Sequence, residues 1–98
     1  MVEQGDIINV RGIDNHLLVI SRDTYNRSGH VIVLPILSSA DKNALVMSID
    51  TTMVKGVVAC DNPRRLDIKS RDYFHKGRVS IKELILILDL FNSLFDII

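Results

Sequence analysis

The chain has 98 residues and a mass of 11.0 kDa, which is the size of one domain and predicts a single domain over residues 1–98. Hydrophobic residues make up 47% and charged residues 24%, which excludes a disordered chain, and the longest apolar run, Leu84–Leu88, is too short for a transmembrane helix. The twelve basic and twelve acidic side chains cancel, so the net charge does not indicate a polyanionic partner.

The compartment is predicted from the cysteine count and the N-terminus. Cys60 is the only cysteine, so no internal disulfide can form, and an apolar strand around it predicts a buried core thiol. The first residues lack the basic and apolar regions of a signal peptide. The sequence therefore predicts a cytoplasmic protein with no membrane association.

Runs of aliphatic and β-branched residues, separated by Gly, Asn, Asp and Pro, predict a series of short strands. They are Ile7–Arg11, His16–Ser21, Val31–Leu34, Ala44–Ile49, Val54–Cys60 and Tyr73–Val79, with brief pairing at Leu66–Ile68. Arg22–Gly29 is expected to be a loop with a helical turn. Pro35 is expected to end the third strand because it has no N–H to donate, and Gly56 is expected to form a bulge. Strands this closely spaced predict a small, curled antiparallel sheet.

The last predicted element is a helix that begins at Ser80 and continues to Ile98. Ser80 and Glu83 match a capping box, in which the two side chains satisfy free amides at a helix start. One apolar stripe follows helical spacing and consists of Leu84, Leu88, Phe91, Phe95 and Ile98. Apolar residues also cover other faces of this helix, so a second copy of the chain or a partner peptide is expected to cover what the sheet does not.

Four blocks of sequence together resemble a known family. They are Gly5–Ile8, Leu18–Asn26, Val33–Ile36 and Gly56–Asp67, and in this order they resemble the PemK/Kid and MazF toxins of bacterial toxin–antitoxin systems. The last block is most similar to the PemK/Kid branch, and the resemblance covers nearly the whole chain.

The resemblance implies an all-β-dominated fold, an SH3-like small β-barrel with a C-terminal α-helix. It also implies a cytoplasmic homodimer that cleaves single-stranded RNA at short sequences without a metal or other cofactor, and that a cognate antitoxin peptide neutralises. The implied reaction is attack of the ribose 2′-OH on the adjacent phosphate, which leaves a 2′,3′-cyclic phosphate. Such a reaction needs a general base, a general acid and a cation that stabilises the charged phosphorane.

Three positions depart from the pattern of that family. Asn15 and His16 stand where relatives carry an Arg-Pro pair, after a shortened loop. Leu37 stands where relatives have a Thr, and Ala59 stands where the PemK/Kid branch has an Arg before Cys-Asp. Two family arginines and a family hydroxyl are therefore absent at positions that the resemblance links to catalysis.

Three residues are the catalytic candidates, and each also has an ordinary structural explanation. Asp61 matches the acid or base of the family, although an Asp before Asn-Pro is also a common turn former. Arg64 supplies a cation in the same short segment, although an exposed, solvated turn is its ordinary explanation. His16 carries an imidazole, a side chain that serves as an acid or a base, and would replace the missing pair, although a lone His at a strand start is more often structural.

Five further residues are candidates for RNA contacts. Arg65 is expected to clamp phosphate together with Arg64, because six basic side chains lie between Asp61 and Arg78 against three Asp. Polar loop residues are expected to reach a phosphate or a base edge. The full set of RNA-contact candidates is Arg11, Asn15, Ser38, Ser39 and Arg65. Tyr25 is expected to pack structurally, and no metal-ligand spacing is present.

Two other functions remain open at this point. A family member that binds RNA or an antitoxin without cleaving fits the altered residues at Asn15, Leu37 and Ala59. A gyrase-poisoning toxin of the CcdB branch, which shares the fold, fits less well because its members end in a Trp-containing tail and this chain has no Trp.

Overall fold

The computed structural model describes residues 1–39 and 45–95, and within these ranges it has seven strands and two helices. The elements in chain order are β1 Asp6–Val10, β2 His16–Val19, α1 Asp23–Asn26, β3 His30–Leu37, β4 Val46–Asp50, β5 Lys55–Ala59, β6 Arg64–Asp67, β7 Tyr73–Arg78 and α2 Ile81–Ser93. The predicted start of the fourth strand at Ala44 and the predicted helix end at Ile98 lie outside the described residues.

All strand pairings are antiparallel, and the sheet has the order β4-β5-β3-β2-β1-β7 with β6 also paired to β3. The central strand β3 is the longest, at eight residues. One edge of β3 pairs with β2, and the other edge pairs first with β6 and then with β5. The predicted fold class, a curled antiparallel sheet with a C-terminal helix, is confirmed.

The prediction that Pro35 ends the third strand is wrong, because β3 continues through it to Leu37. The carbonyl of Ile32 accepts a hydrogen bond from the N–H of Ile20, the residue after β2. The backbone groups of even-numbered β3 residues therefore point towards β2. Pro35 therefore faces the other edge. Along that edge, pairing with β6 stops at Val33 and pairing with β5 starts at Ile36, so no ladder bond is lost at Pro35.

The prediction that Gly56 forms a bulge is also wrong. Gly56 pairs in register with Ile49, and a Cβ at this position would lie 2.6 Å from the backbone carbonyl oxygen of Leu37. Glycine is needed here because β3 and β5 approach closely. The bulge lies instead in β7, where the register with β1 shifts by one residue and leaves Lys76 as the extra residue.

Strand alternation divides the buried apolar residues between two clusters, one on each face of the sheet. The cluster under α2 consists of Ile7, Leu18, Ile20, Leu34, Ile36, Ile49, Val54, Val58, Cys60, Val79, Leu84 and Ile87. The cluster on the other face consists of Val2, Ile8, Val10, Leu17, Val19, Val31, Val33, Leu66 and Ile68. Each face of the sheet is thus apolar at its centre.

The predicted capping box at the start of α2 is confirmed. The N–H of Glu83 donates to the Ser80 hydroxyl at 3.1 Å, and the N–H of Ser80 donates to the Glu83 carboxylate at 3.0 Å. The second carboxylate oxygen of Glu83 accepts from the N–H of Asp50 at 3.1 Å, which ties the helix to β4. One side chain therefore both caps the helix and anchors it to the sheet.

The apolar stripe of α2 is only partly buried. Leu84 is buried together with Ile87, which the predicted stripe did not contain, and Phe95 is 66% exposed. Ile85 and Leu86 also face outward. Neither described helix has the length and apolarity needed to cross a membrane, α2 being the longer at 13 residues.

We expect Gly56→Ala to lower the free energy of unfolding by about 1–3 kcal/mol, because the new methyl group would overlap the backbone of β3. Urea denaturation measures the change. Ser48→Ala, an exposed substitution on the neighbouring strand β4, is the control and should stay within about 0.5 kcal/mol of the wild type. Equal stability of both variants would contradict the close approach of β3 and β5.

We expect the capping contacts of Glu83 to make stability depend on pH. Partial burial raises the pKa of this carboxyl, but the hydrogen bonds from Ser80 and Asp50 outweigh it, and the pKa lies below its ordinary value of 4.5. The folded state thus favours the ionised form, and this stabilisation is present above the unfolded pKa and lost as pH falls through the folded pKa.

The variant Glu83→Gln keeps one side-chain oxygen at the cap, replaces the other oxygen with an amide nitrogen, and cannot ionise. The difference in unfolding free energy between wild type and this variant should shrink as pH falls from about 6 to about 3. Asp89→Asn removes a carboxylate of the same helix that does not cap Ser80 or Asp50, and it should not reproduce the effect. A difference that is constant across this range would contradict the linkage.

Candidate functional site

A cleft opens on the sheet face that carries Leu17 and Val33, between the β1–β2 loop and the turn after β5. It has about 420 Å³ of empty space, part of it open to solvent. Its lining, called here the apolar cleft, is Ile13, Asn15, Leu17, Val33, Pro35, Leu37, Asn62, Arg64 and Leu66. Strand pairing explains the set, because Leu17 lies opposite Pro35 and Val33 lies opposite Arg64. The floor is aliphatic, and two amides and a guanidinium stand at its rim.

A second hollow adjoins the apolar cleft at the end of β3. Its lining, called here the polar depression, is Asp14, Asn15, His16, Ile36, Leu37, Ser38, Val54 and Lys55. Asn15 and Leu37 belong to both linings. The side-chain amide of Asn15 donates to the carbonyl of Ile36 at 3.3 Å, which holds the β1–β2 loop against β3. The two hollows therefore share a wall of defined position.

Four predicted site residues line these hollows. Arg64 lines the apolar cleft, His16 and Ser38 line the polar depression, and Asn15 lines both. His16 begins β2 and pairs with Ile36, so the sheet fixes its backbone. Residues from three separate parts of the sequence thus meet at one end of the sheet.

Arg64 and Arg65 do not share a site, although they were predicted to clamp phosphate together. Successive side chains of a strand point to opposite faces. Arg64 faces the apolar cleft, whereas the Arg65 guanidinium donates to the Tyr25 hydroxyl at 3.0 Å. Tyr25 thus supports Arg65 on a face away from the apolar cleft.

Three other predicted residues lie outside both linings. Arg11 forms an exposed ion pair with Asp72, with 3.3 Å between guanidinium nitrogen and carboxylate oxygen, beside β7. Asp61 is exposed in the turn after β5, and its neighbour Asn62 rather than Asp61 lines the apolar cleft. Ser39 is exposed and follows Ser38 at the rim of the polar depression. The sequence candidates therefore spread over a wider area than one hollow.

Two of the three altered positions lie in the shared wall. Asn15 and Leu37 line both hollows, whereas Ala59 is buried within β5 opposite Val46. Asn15 and Leu37 thus form the boundary between the two hollows.

Cys60 is a structural thiol, as predicted. Its side chain is fully buried under α2, and burial together with the nearby charge of Asp61 raises the pKa of the thiol to about 11. Such a thiol stays protonated at neutral pH and is a poor nucleophile. Among residues 1–39 and 45–95, no group of three His, Cys, Asp or Glu side chains is arranged to hold a metal ion.

Sequence reasoning missed Lys55 and Asn62. Lys55 begins β5, and the pairing of Leu37 with Val57 brings this end of β5 beside Ser38. No local sequence signal identified Lys55, because only the antiparallel pairing of the third and fifth strands places the start of one beside the end of the other. For Asn62 the signal was its position in the Asn-Pro turn directly before Arg64.

The chain matches a family model described as the PemK-like, MazF-like toxin of type II toxin–antitoxin systems, over residues 4–95. No curated protein matches it at the stringency applied.

Solved structures give a consistent result. The MazE–MazF complex from Deinococcus radiodurans (Form-II) is 25% identical with a TM-score of 0.85, and the match covers 96% of this chain and 94% of that one. An endoribonuclease in complex with its cognate antitoxin, from a mycobacterial species, is 15% identical with a TM-score of 0.83, covering 97% and 95%. The toxin MazF-mt6 from Mycobacterium tuberculosis is 19% identical with a TM-score of 0.72, covering 94% and 98%. With almost its whole length matched by the family model, the chain belongs to the PemK-like, MazF-like toxin family.

Proposed function

We propose that this protein is an endoribonuclease that cleaves single-stranded RNA without a metal ion, with the RNA bound across the apolar cleft and the polar depression. Membership of the toxin family supports the reaction class. The observation that carries the proposal is the shared wall at Asn15 and Leu37. It joins the apolar cleft, which suits a nucleobase, to the polar depression, which contains groups for proton transfer.

The apolar cleft has the features expected of a nucleobase site. Single-stranded RNA is read through unstacked bases, which lie on apolar or aromatic surfaces and hydrogen-bond through their edges. Ile13 and Leu37, the half-buried aliphatic residues of the lining, supply such a surface, and the amides of Asn15 and Asn62 supply donors and acceptors at the rim. The Arg64 guanidinium, at the same rim, suits a phosphate of the bound nucleotide.

The reaction has a defined set of requirements. The 2′-OH of the ribose attacks the adjacent phosphate, so a base must accept its proton and the leaving 5′ oxygen must gain one. His16, in the polar depression, is the imidazole available for this task. Asp61, in the turn that carries Asn62, is the second candidate for proton transfer and would reach the substrate from the rim.

A binding-only function is the second candidate, and one observation favours it. Leu37 presents an aliphatic side chain in the shared wall, where relatives carry a hydroxyl. A protein of this kind would bind RNA or an antitoxin at the same surface without cutting RNA.

The partners follow from the same proposal. The solved relatives include MazF bound to MazE and a mycobacterial endoribonuclease bound to its cognate antitoxin. We extend this to the present chain and propose a cognate antitoxin whose peptide occupies the RNA surface. We also propose a cytoplasmic homodimer in which a second copy covers the outward face of α2.

We expect the purified protein, freed of antitoxin, to cut long single-stranded RNA at discrete sites in EDTA and to leave 2′,3′-cyclic phosphate ends. Arg64→Ala should lower kcat/KM about 100-fold, because it removes a charge-assisted contact to the RNA phosphate. Arg71→Ala, an exposed arginine in the turn between β6 and β7, is the matched control and should cut like the wild type. Binding of these RNAs without any cutting would favour the second function instead.

We expect sedimentation to show a dimer at micromolar concentration, because α2 exposes large apolar side chains that water solvates poorly. They are Ile81, Ile85 and Leu86 of α2, together with Leu94 and Phe95 directly after its end. Ile85→Asp should yield a monomer with little loss of folded structure by circular dichroism, whereas Asp89→Ala on the polar side of α2 should remain dimeric. A monomeric wild type with no partner present would contradict the proposal.

A further inference from the structure

The two hollows differ in the chemistry that they can perform. The described residues that line the apolar cleft include no imidazole, carboxyl or amine, so this hollow can bind a nucleotide but has no group of its own for proton transfer. The polar depression contains all three in His16, Asp14 and Lys55, together with the hydroxyl of Ser38. This separation of binding groups from reactive groups indicates that the phosphodiester bond of the RNA breaks in the polar depression.

The backbone of Lys55 is held beside the polar depression, while its side chain is largely exposed. A tight turn precedes it, in which the hydroxyl of Thr51 accepts from the N–H of Val54 and donates to the Val54 carbonyl, both at 2.9 Å. The Lys55 side chain is 78% exposed. Its ammonium lies 3.9 Å from the Asp50 carboxylate, a long and exposed ion pair that contributes little to stability and would yield to a phosphate.

His16 stands on the opposite side of the same hollow. It is half-buried at the first position of β2, and its pairing with Ile36 places it beside the end of β3, where Ser38 follows. Neutral imidazole is the side chain best suited to accept a proton near pH 7. Within the described lining of the polar depression, Lys55 supplies the cation and His16 the strongest neutral base.

We propose that the phosphate that reacts is bound in the polar depression, with Lys55 as its cation and His16 as the general base; this rests on the ribonuclease function proposed above. His16 removes the proton of the 2′-OH as the 2′ oxygen bonds to phosphorus. The bond between phosphorus and the 5′ oxygen breaks, and that oxygen takes a proton from water, which reaches this open hollow. The Lys55 ammonium stabilises the negative charge on the phosphorane oxygens.

This arrangement assigns different kinetic roles to the two hollows. The nucleobase next to the reacting phosphate occupies the apolar cleft. Arg64 and the rim amides therefore act mainly on RNA binding and sequence preference. Lys55 acts on the transition state, where the charge on phosphorus is greatest. A single assay can therefore separate the roles through KM and kcat.

The test measures kcat and KM for an RNA with one cleavage site, using wild type, Lys55→Gln, Lys55→Arg and Lys82→Gln. We expect Lys55→Gln to lower kcat by 10²–10³ with a small change in KM, which is the usual effect of losing one transition-state contact. Lys55→Arg should recover at least a tenth of the wild-type kcat, because the positive charge is kept. Lys82→Gln, which removes an exposed lysine of α2, should leave both constants unchanged.

The pH profile gives a second readout. His16→Gln should abolish the rise of kcat/KM with pH on the acidic limb, since that limb reports the ionisation of the base. Wild-type kcat in Lys55→Gln, in a protein that cuts RNA, would overturn this inference and leave the ribonuclease function standing. Wild-type protein that cuts no RNA would overturn both. An unfolding curve of each variant, monitored by circular dichroism, shows whether the variant is folded, so that a loss of activity can be distinguished from a loss of structure.

Discussion

The structure depends on the central strand β3, which pairs with the three strands β2, β5 and β6. Its even-numbered side chains, such as Leu34 and Ile36, lie in the core beneath α2, and its odd-numbered side chains, such as Pro35 and Leu37, line the apolar cleft. A shift of one residue in its pairing would exchange these two sets, placing the wrong side chains in the core and in the cleft. The stability of the core and the shape of the candidate site are therefore set by the same register.

Much of the fold follows from local sequence rules, and the two errors have one cause. Runs of aliphatic residues indicated the strands, and Ser80 with Glu83 indicated where the long helix begins. Pro35 and Gly56 were misread because the rules treat a strand in isolation. Whether the missing N–H of Pro35 matters depends on which neighbour it faces and where that neighbour ends. Whether Gly56 forms a bulge or permits close contact depends on its distance to the backbone of Leu37. Neither quantity can be read from residues near in sequence.

The candidate site shows the same limit. His16 and Asn15 were selected because they stand where relatives carry an Arg-Pro pair, after a shortened loop, and the structure places both in the polar depression. Arg64 and Arg65 are adjacent in sequence, yet strand alternation sends them to opposite faces, and only one lines the apolar cleft. Lys55 was missed for the converse reason, since it lies far from Asn15 in sequence and reaches the polar depression only through the pairing of β3 with β5. Long-range strand pairing determines which charges meet, and motif spacing does not encode it.

Two of the altered positions, Asn15 and Leu37, lie in the wall that the two hollows share. Leu37 replaces a hydroxyl that relatives carry, and it contributes an aliphatic surface to the floor of the apolar cleft. A base bound there gains a more apolar contact, while a phosphate loses a donor on that side and is better placed on the other side of the wall. On that side Ser38 follows directly in sequence, and Lys55 lines the same hollow from the start of β5, with its ammonium 3.9 Å from the Asp50 carboxylate. Loss of the family residues at Asn15 and Leu37 therefore does not by itself imply an inactive protein. The proposed reaction has another hydroxyl in Ser38, directly after β3, and another cation in Lys55, at the start of β5.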